Sequence, residues 1–292
     1  FSVTRSGGAG SSSADRRRPD IVCFVNGIPL VVIEAKRPDG NSKKGPTIDE
    51  GISQNLRNQR HDEIPQLFVY SQLLLSVNGI DGRYGTCETS KKFWAAWREE
   101  DISDAEMVAI KNKKLLPEQI TGLFSHRSRS DLTWYENLIA GGELAVTGQD
   151  KLLISLLSPA RLLEMTRYFT LFDKKAGKIA ARYQQVFGIK RLIERINTRE
   201  GGVIWHTTGS GKSFTMVFLS KALILHDTLK QCRILVVTDR VDLETQLSRT
   251  FANGGELATS KDKTAAMATS GTRLAEQIGS GTERIVFSLI QK

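Results

Sequence analysis

The sequence predicts an α/β protein of two consecutive units, a mixed-sheet unit followed by a parallel-sheet unit, and three observations predict it. Two β-branched runs flank Asn26-Gly27 near the start, and an apolar run, a glycine-rich loop and an apolar helix succeed one another over 203–225. Two further buried-strand patterns, ILVVTD at 234–239 and RIVFSL at 284–289, each follow helical stretches. Asn-Gly between alternating apolar runs is a strong hairpin signal, whereas strands separated by helices give a parallel sheet. At 292 residues the chain suits two cores of ordinary size. We place a first domain at 1–150, a helical docking segment at 151–177 and a second, truncated domain at 178–292.

Composition narrows the class. Hydrophobic residues make up 40% and charged residues 25%, and no run approaches the roughly 18 apolar residues of a membrane span. A soluble intracellular protein with no membrane partner is expected. The formal charge of +9 favours a polyanionic partner, because neutralised phosphates release condensed counterions. Cys23, Cys87 and Cys232 have neither zinc nor disulfide-framework spacing and are expected as buried, reduced thiols. The chain opens at Phe1 with no signal core or targeting helix and is expected to be a fragment or to lack internal residues.

In chain order, the Gly/Ser-rich stretch 6–15 cannot bury apolar surface and reads as a loop, with order beginning near Arg18. The runs DIVCFV and IPLVVIEAK form two antiparallel strands, and 47–60 is helical. QLFVYSQLLLSV at 66–77 reads as a strand that Asn78-Gly79 ends. Between about 88 and 150 the pattern is helical, with Trp94 and Trp97 on one helix face and a helix starting at Pro117. Ser158 caps a helix whose first turn holds Pro159; its Leu162, Leu163, Tyr168 and Phe169 are expected to dock the two domains together. Beyond Gly177 a basic amphipathic helix leads to Gly201-Gly202, a strand VIW, the glycine loop and the helix SFTMVFLSKALIL.

The loop reads His206-Thr207-Thr208-Gly209-Ser210-Gly211-Lys212-Ser213. Glycines let backbone N–H groups approach phosphates, and a helix N-terminus adds its dipole. Thr208, Gly209, Ser210 and Gly211 would cradle the phosphates of ATP, Lys212 would reach the β- and γ-phosphates, and Ser213 would hold Mg²⁺. The strict P-loop pattern has glycine where His206 stands, yet T-G-S-G-K-S resembles the first motif of superfamily 2 helicases and translocases. Gln185, about twenty residues upstream, is the candidate adenine reader, with an ordinary surface helix as the alternative. Thr238 and Arg240, followed by Leu243 and Gln246, resemble a DNA-backbone motif; a helix cap at Asp239 or Asp242 explains the same text. No acidic DExH or DEAD motif precedes Lys292, so this chain alone is not expected to hydrolyse ATP efficiently.

In the first unit, Asp20, Glu34 and Lys36 form the pattern D-x13-E-x-K, with Pro19 before it. Glu34 and Lys36 lie two apart on a strand and share a face, while Ala35 points the other way, into the core. For Asp20 to join them across the hairpin, the paired residue numbers must sum to an even value. A three-residue turn or a bulge around Gly27 provides this and a plain two-residue turn does not. Two carboxylates would hold Mg²⁺ and Lys36 would stabilise developing negative charge, so phosphodiester hydrolysis is the implied chemistry. A solvated strand edge is the bland alternative.

RRPDIVCFVNGIPLVVIEAKRP, Gln54 four residues before Asn58, IPQLFVYSQLLLSVNG and RYGT together resemble the nuclease domain of the restriction subunit of type I restriction-modification enzymes. VIWHTTGSGKSFTM and VVTDRVDLETQL resemble that subunit's motor. The resemblance covers about 16–100 and 165–292 and implies a PD-(D/E)xK nuclease fold followed by an incomplete RecA-like motor. It assigns cleavage to Asp20, Glu34 and Lys36 and makes Gln54 the start of a Gln-x3-Tyr helix motif in which Asn58 replaces the tyrosine. Gln66-x3-Tyr70 fits the same pattern, but Tyr70 is expected in the core. The resemblance further implies ATP and Mg²⁺ as cofactors, double-stranded DNA and separate methylation and specificity subunits as partners, and the cytoplasm of a bacterium or archaeon. The rival readings are a repair or phage-defence helicase whose nuclease fold only binds, and a non-enzymatic ATP-binding scaffold.

Overall fold

Asn26 and Gly27 adopt φ of 50° and 78°, the two positive values a tight hairpin turn requires. They join β3 (Ile21–Val25) to β4 (Ile28–Ala35). In the computed structural model residues 2–6, 15–38, 47–173, 177–253 and 265–291 are described. Order begins earlier than Arg18, because β1 (Val3–Thr4) pairs antiparallel with β2 (Arg16–Arg17). Gln66 fastens this edge by donating to the Thr4 carbonyl at 2.8 Å.

A four-stranded mixed sheet of order β3-β4-β5-β6 organises the first half, with β5 at Leu73–Val77 and β6 at Gly82–Gly85. β4 and β5 are parallel, so the chain between them must cross over, and α1 (Ile48–Asn58) is the helix of that crossover. β5 is buried at every position, as a strand covered on both faces should be. The apolar run 66–77 is only partly strand: Pro65–Leu67 is a 3-10 turn, and Val69 and Tyr70 are exposed rather than in the core. Pairing to β4 begins at Leu73, and the residues before it serve the turn.

Trp94 and Trp97 are buried, but not on a helix. The segment is extended and Ala95 bridges to Tyr84, so the rings flank a strand edge; Trp94 lies against Gly85, where a Cβ would come within 2.9 Å of its ring. Helices α2 (Asp104–Lys111), α3 (Pro117–Phe124), α4 (Arg129–Ala140) and α5 (Gly148–Leu156) follow. Ser158 caps α6 (Pro159–Tyr168) by accepting from Arg161 N. Leu162, Met165 and Phe169 are buried there, whereas Leu163 faces solvent at 66% exposure. The hairpin β7 (Thr170–Asp173) and β8 (Gly177–Ala180) leads to α7 (Tyr183–Asn197).

The second half contains α8 (Lys212–Leu225), β9 (Ile234–Thr238), α9 (Val241–Asn253), α10 (Gly271–Ser280) and β10 (Ile285–Leu289), with β9 and β10 parallel. The expected strand VIW does not form: Val203 and Trp205 are 92% and 89% exposed. A strand needs a ladder partner, and among the described residues 203–205 pair with neither β9 nor β10. One apolar cluster nevertheless runs through both halves, from Val31 and Leu75 through Leu156, Met165 and Phe187 to Phe218 and Phe287. The three cysteines are free but half-buried rather than buried. Among the described residues no helix is long and apolar enough to cross a membrane.

Candidate nuclease and phosphate-loop sites

The hairpin register decides whether Asp20 reaches Glu34. Val25 pairs with Ile28 and Phe24 with Pro29, as a two-residue turn dictates, but Cys23 then pairs with Val31. Leu30 is thus the extra residue of a bulge, and Val22 with Val32 and Ile21 with Ile33 follow in the shifted register. One more step places Asp20 opposite Glu34. The bulge lies three residues beyond Gly27, and without it Asp20 would face away.

Around Lys36 the groups converge. Its Nζ lies 3.7 Å from Asp20 Oδ2 and 3.6 Å from Glu34 Oε2, and it donates to Gln54 Oε1 at 2.7 Å. Asp20 Oδ2 also accepts from the Ala35 N–H at 2.8 Å, which locks the loop before β3 onto the end of β4. Ala35 itself is exposed, not in the core, although Val31 and Ile33 on the same strand face are buried. Lys36 N donates to Val77 O at 2.7 Å, which fixes the direction in which the ammonium leaves the sheet.

Helix α1 covers the face that carries Glu34. Gly51, Ile52, Asn55 and Asn58 are its buried positions, spaced as one helical stripe. Gly51 permits the close approach: a Cβ there would stand 2.2 Å from Ser76 Oγ, and Ser76 is the β5 partner of Glu34. Sequence reasoning did not count Asn58 as a site residue, yet it is 1% exposed and donates to Glu34 Oε1 at 3.4 Å. Its position one helical turn after Gln54 was the available signal. Glu34 is fully buried, and burial, reinforced by the neighbouring Asp20 carboxylate, pushes its carboxyl up to about 8 against the pull of Lys36.

These residues fit a divalent cation. Glu34 Oε2 is buried and faces the Lys36 ammonium at 3.6 Å without a hydrogen bond, so the fold leaves this acceptor unfilled. Among the described residues no three His, Cys, Asp or Glu side chains cluster as a closed cage. Mg²⁺ suits such an open pair, because it keeps waters and takes substrate phosphate oxygens beside one or two carboxylates.

At the second site Gly209 and Gly211 take φ of 78° and 85°, and Gly211 in the left-handed region begins α8. Lys212 Nζ folds back onto the carbonyls of His206 and Thr207, at 3.0 and 3.4 Å, and Ser213 follows in the first turn of α8. Thr208 is exposed, Ser210 Oγ is buried without a partner, and nothing lies within 4 Å of a Cβ placed on Gly209, so the loop keeps room above its glycines. Gln185 is buried rather than on a helix surface. Its amide donates to Gly211 O and Thr215 Oγ1, both at 3.2 Å, and accepts from Arg182 N at 2.8 Å, so it braces the loop. A cleft of about 460 Å³ opens here, lined by Phe93, Lys178, Arg182, Gln185, Gly211 and Phe214 among others, and so by both halves of the chain.

Thr238 ends β9 and its hydroxyl donates to Arg240 O; the Arg240 side chain is exposed. Neither Asp239 nor Asp242 stands directly before α9, where Arg240 O accepts from Glu244 N at 3.0 Å. The side chains of Leu243 and Gln246 lie outside the described residues.

Two family descriptions match the chain, Type I restriction enzyme R protein N terminus over residues 4–93 and SWI2/SNF2 ATPase over residues 184–292. The chain belongs to the R-subunit family of type I restriction enzymes. It is 32% identical over 258 residues to the Type I restriction enzyme HindI endonuclease subunit of Haemophilus influenzae, covering 85% of this chain and 21% of that protein. The SsaAORF53P endonuclease subunit of Staphylococcus saprophyticus is 27% identical over 282 residues, 95% of this chain and 24% of that protein. The SauCOLORF180P endonuclease subunit of Staphylococcus aureus is 26% identical over 241 residues, 81% and 21%. The chain therefore spans about a fifth to a quarter of the length of the relatives it matches.

Proposed function

We propose that the protein is the DNA-cutting and DNA-translocating subunit of a type I restriction-modification system, and that this chain carries its nuclease site and the first part of its ATP-driven motor. The convergence of Asp20, Glu34 and Gln54 on the Lys36 ammonium is the observation that carries this reading. In it, residues 1–150 form a PD-(D/E)xK nuclease domain, 151–177 the docking segment and 178–292 the first part of a RecA-like motor domain. Double-stranded DNA and the methylation and specificity subunits are the partners, in the cytoplasm.

Asp20 and Glu34 would hold Mg²⁺, which would supply a more acidic water and polarise the scissile phosphate. Lys36, held by Gln54, presents its charge where negative charge develops on the phosphate oxygens, and its rigidity spares reorganisation during the reaction. Burial and the Asp20 carboxylate raise the Glu34 carboxyl to about 8, so a cation at this pair would compete with its proton. At the loop, the N–H groups of 208–211 and the dipole of α8 receive the phosphates of ATP. Lys212 would leave its two carbonyls for the terminal phosphates, and Ser213 would hold the accompanying Mg²⁺. Gln185 keeps the loop in shape, and Thr238 and Arg240 meet the DNA backbone.

The test is cleavage of unmethylated circular DNA by the full-length protein assembled with its methylation and specificity subunits, with ATP turnover followed in parallel. Lys36→Ala should cut about 100-fold more slowly or worse and keep ATP turnover, and Lys212→Ala should lose both. Cutting by Lys36→Ala at the wild-type rate removes the nuclease assignment.

A further inference from the structure

Asn58 stands where the resembling nuclease motif has tyrosine, and its surroundings give it a task of its own. Its amide has two chemically distinct ends. Arg57 only donates, and its Nε and Nη2 lie 3.4 and 3.2 Å from Asn58 Oδ1, so the oxygen end faces the arginine. The NH₂ end therefore points to Glu34 and donates to Oε1 at 3.4 Å. The other carboxylate oxygen, Oε2, is buried and faces the Lys36 ammonium at 3.6 Å without a hydrogen bond. Gln54, one turn earlier on the same helix face, does the complementary thing by offering its oxygen to Lys36. Two side-chain amides on α1 thus serve opposite charges, one the ammonium and one the carboxylate.

We propose that Asn58, oriented by Arg57, is a positioning residue that occupies Glu34 Oε1 and so leaves Oε2 turned toward the divalent cation. The inference rests on the nuclease reading above. Partners of this kind fix the rotamer of a ligating group, and their loss typically costs 10–100-fold in metal affinity or activity. The 3.4 Å separation puts Asn58 at the lower end of that range.

The test titrates Mn²⁺ into the nucleotide-free full-length protein, with free Mn²⁺ read by electron paramagnetic resonance, and measures the Mg²⁺ dependence of cleavage in the assembled enzyme. The site of interest is the binding that Glu34→Gln removes. Asn58→Leu should weaken that site about 10-fold, raise the Mg²⁺ needed for half-maximal cleavage by a similar factor and leave the rate at saturating Mg²⁺ near wild type. Arg57→Ala should shift both in the same direction by less, and should add nothing in the Asn58→Leu background, because it acts through Asn58. Arg57 is exposed, so its variant carries the test even where Asn58→Leu fails to fold. Unchanged Mn²⁺ affinity in the folded variants, or additive effects of the two substitutions, overturns the proposal. If Glu34→Gln removes no Mn²⁺ binding and Lys36→Ala cuts at the wild-type rate, the nuclease reading itself has failed, a different result from the first.

Discussion

The two sites differ in how much of their support is local. The Lys36 site is assembled from one hairpin, the next helix and a strand paired to both neighbours. Asp20, Lys36 and Glu34 Oε1 each make a hydrogen bond there, and Glu34 Oε2 faces the Lys36 ammonium without one. At the phosphate loop the glycines already have their left-handed backbone, but Lys212 is satisfied by its own loop carbonyls and the preceding Val203–Trp205 run stands in solvent. A loop conformation is set by neighbouring residues, whereas a buried parallel strand is set by the strands on either side of it. The first site is consequently specified by a short stretch of text and the second by pairing that this stretch does not contain.

Substitutions at the two lysines break the comparison most strongly. In the assembled enzyme Lys36→Ala should cost about 10²–10³ in cleavage rate with ATP turnover intact, while Lys212→Ala should remove ATP turnover; equal losses of turnover in both would mean that the sites are one functional unit. Next in size is the seam between the halves. Arg161 pairs with Glu99, Asp101 and Glu164 at 3.0, 2.8 and 2.6 Å and lies over the Trp97 and Phe187 rings, and the Glu99 side chain is 1% exposed. Arg161→Ala removes the cation facing the buried Glu99 carboxylate, which keeps its neutral donors Trp97 Nε1 and Asp101 N, and should destabilise by about 3 kcal/mol in urea unfolding.

A smaller effect sharpens the picture of the first site. Gly51→Ala sets a Cβ against Ser76 Oγ, whose hydroxyl is held by Ile48 O at 2.7 Å and cannot retreat without losing that bond. About 1–3 kcal/mol of destabilisation by overpacking is expected, seen as a lower Tm. The smallest effect per step is the change with each pH unit. The folded carboxyl of Glu34 sits at about 8, above its ordinary 4.5, so its contribution to stability is complete below pH 4.5 and is lost as pH rises through 8. Metal-free wild type should lose up to ~1.4 kcal/mol per pH unit in that window relative to Glu34→Gln. A parallel pH dependence of Tm in the two proteins shows that Glu34 is not the group.

Part of the Lys36 site was legible in the sequence because its signals are near-neighbour ones. Glu34 and Lys36 share a face by strand alternation, and the even register demanded of Asp20 called for an irregularity near the turn. Its location at Leu30 was not legible, since a bulge forms where cross-strand packing tolerates it. Asn58 was read only as a missing tyrosine, because the orientation of an amide depends on what stands at each end. Trp94 and Trp97 read as a helical face, since a spacing of three cannot tell a helix stripe from two rings on either side of a bridged extended segment.

The sequence by itself determined the Asn26-Gly27 turn, the Ser158 cap with Pro159 behind it, the glycine loop opening α8 and the family to which the chain belongs. These follow from the steric and hydrogen-bonding habits of single residues and their immediate neighbours. Only the tertiary structure decided that Ala35 and Tyr70 face solvent, that Gln185 braces the phosphate loop, that Val203–Trp205 finds no ladder and that Asn58 turns its NH₂ to Glu34. Burial, strand pairing and the direction of a polar side chain are set by residues far away in the chain, and local pattern carries no information about them.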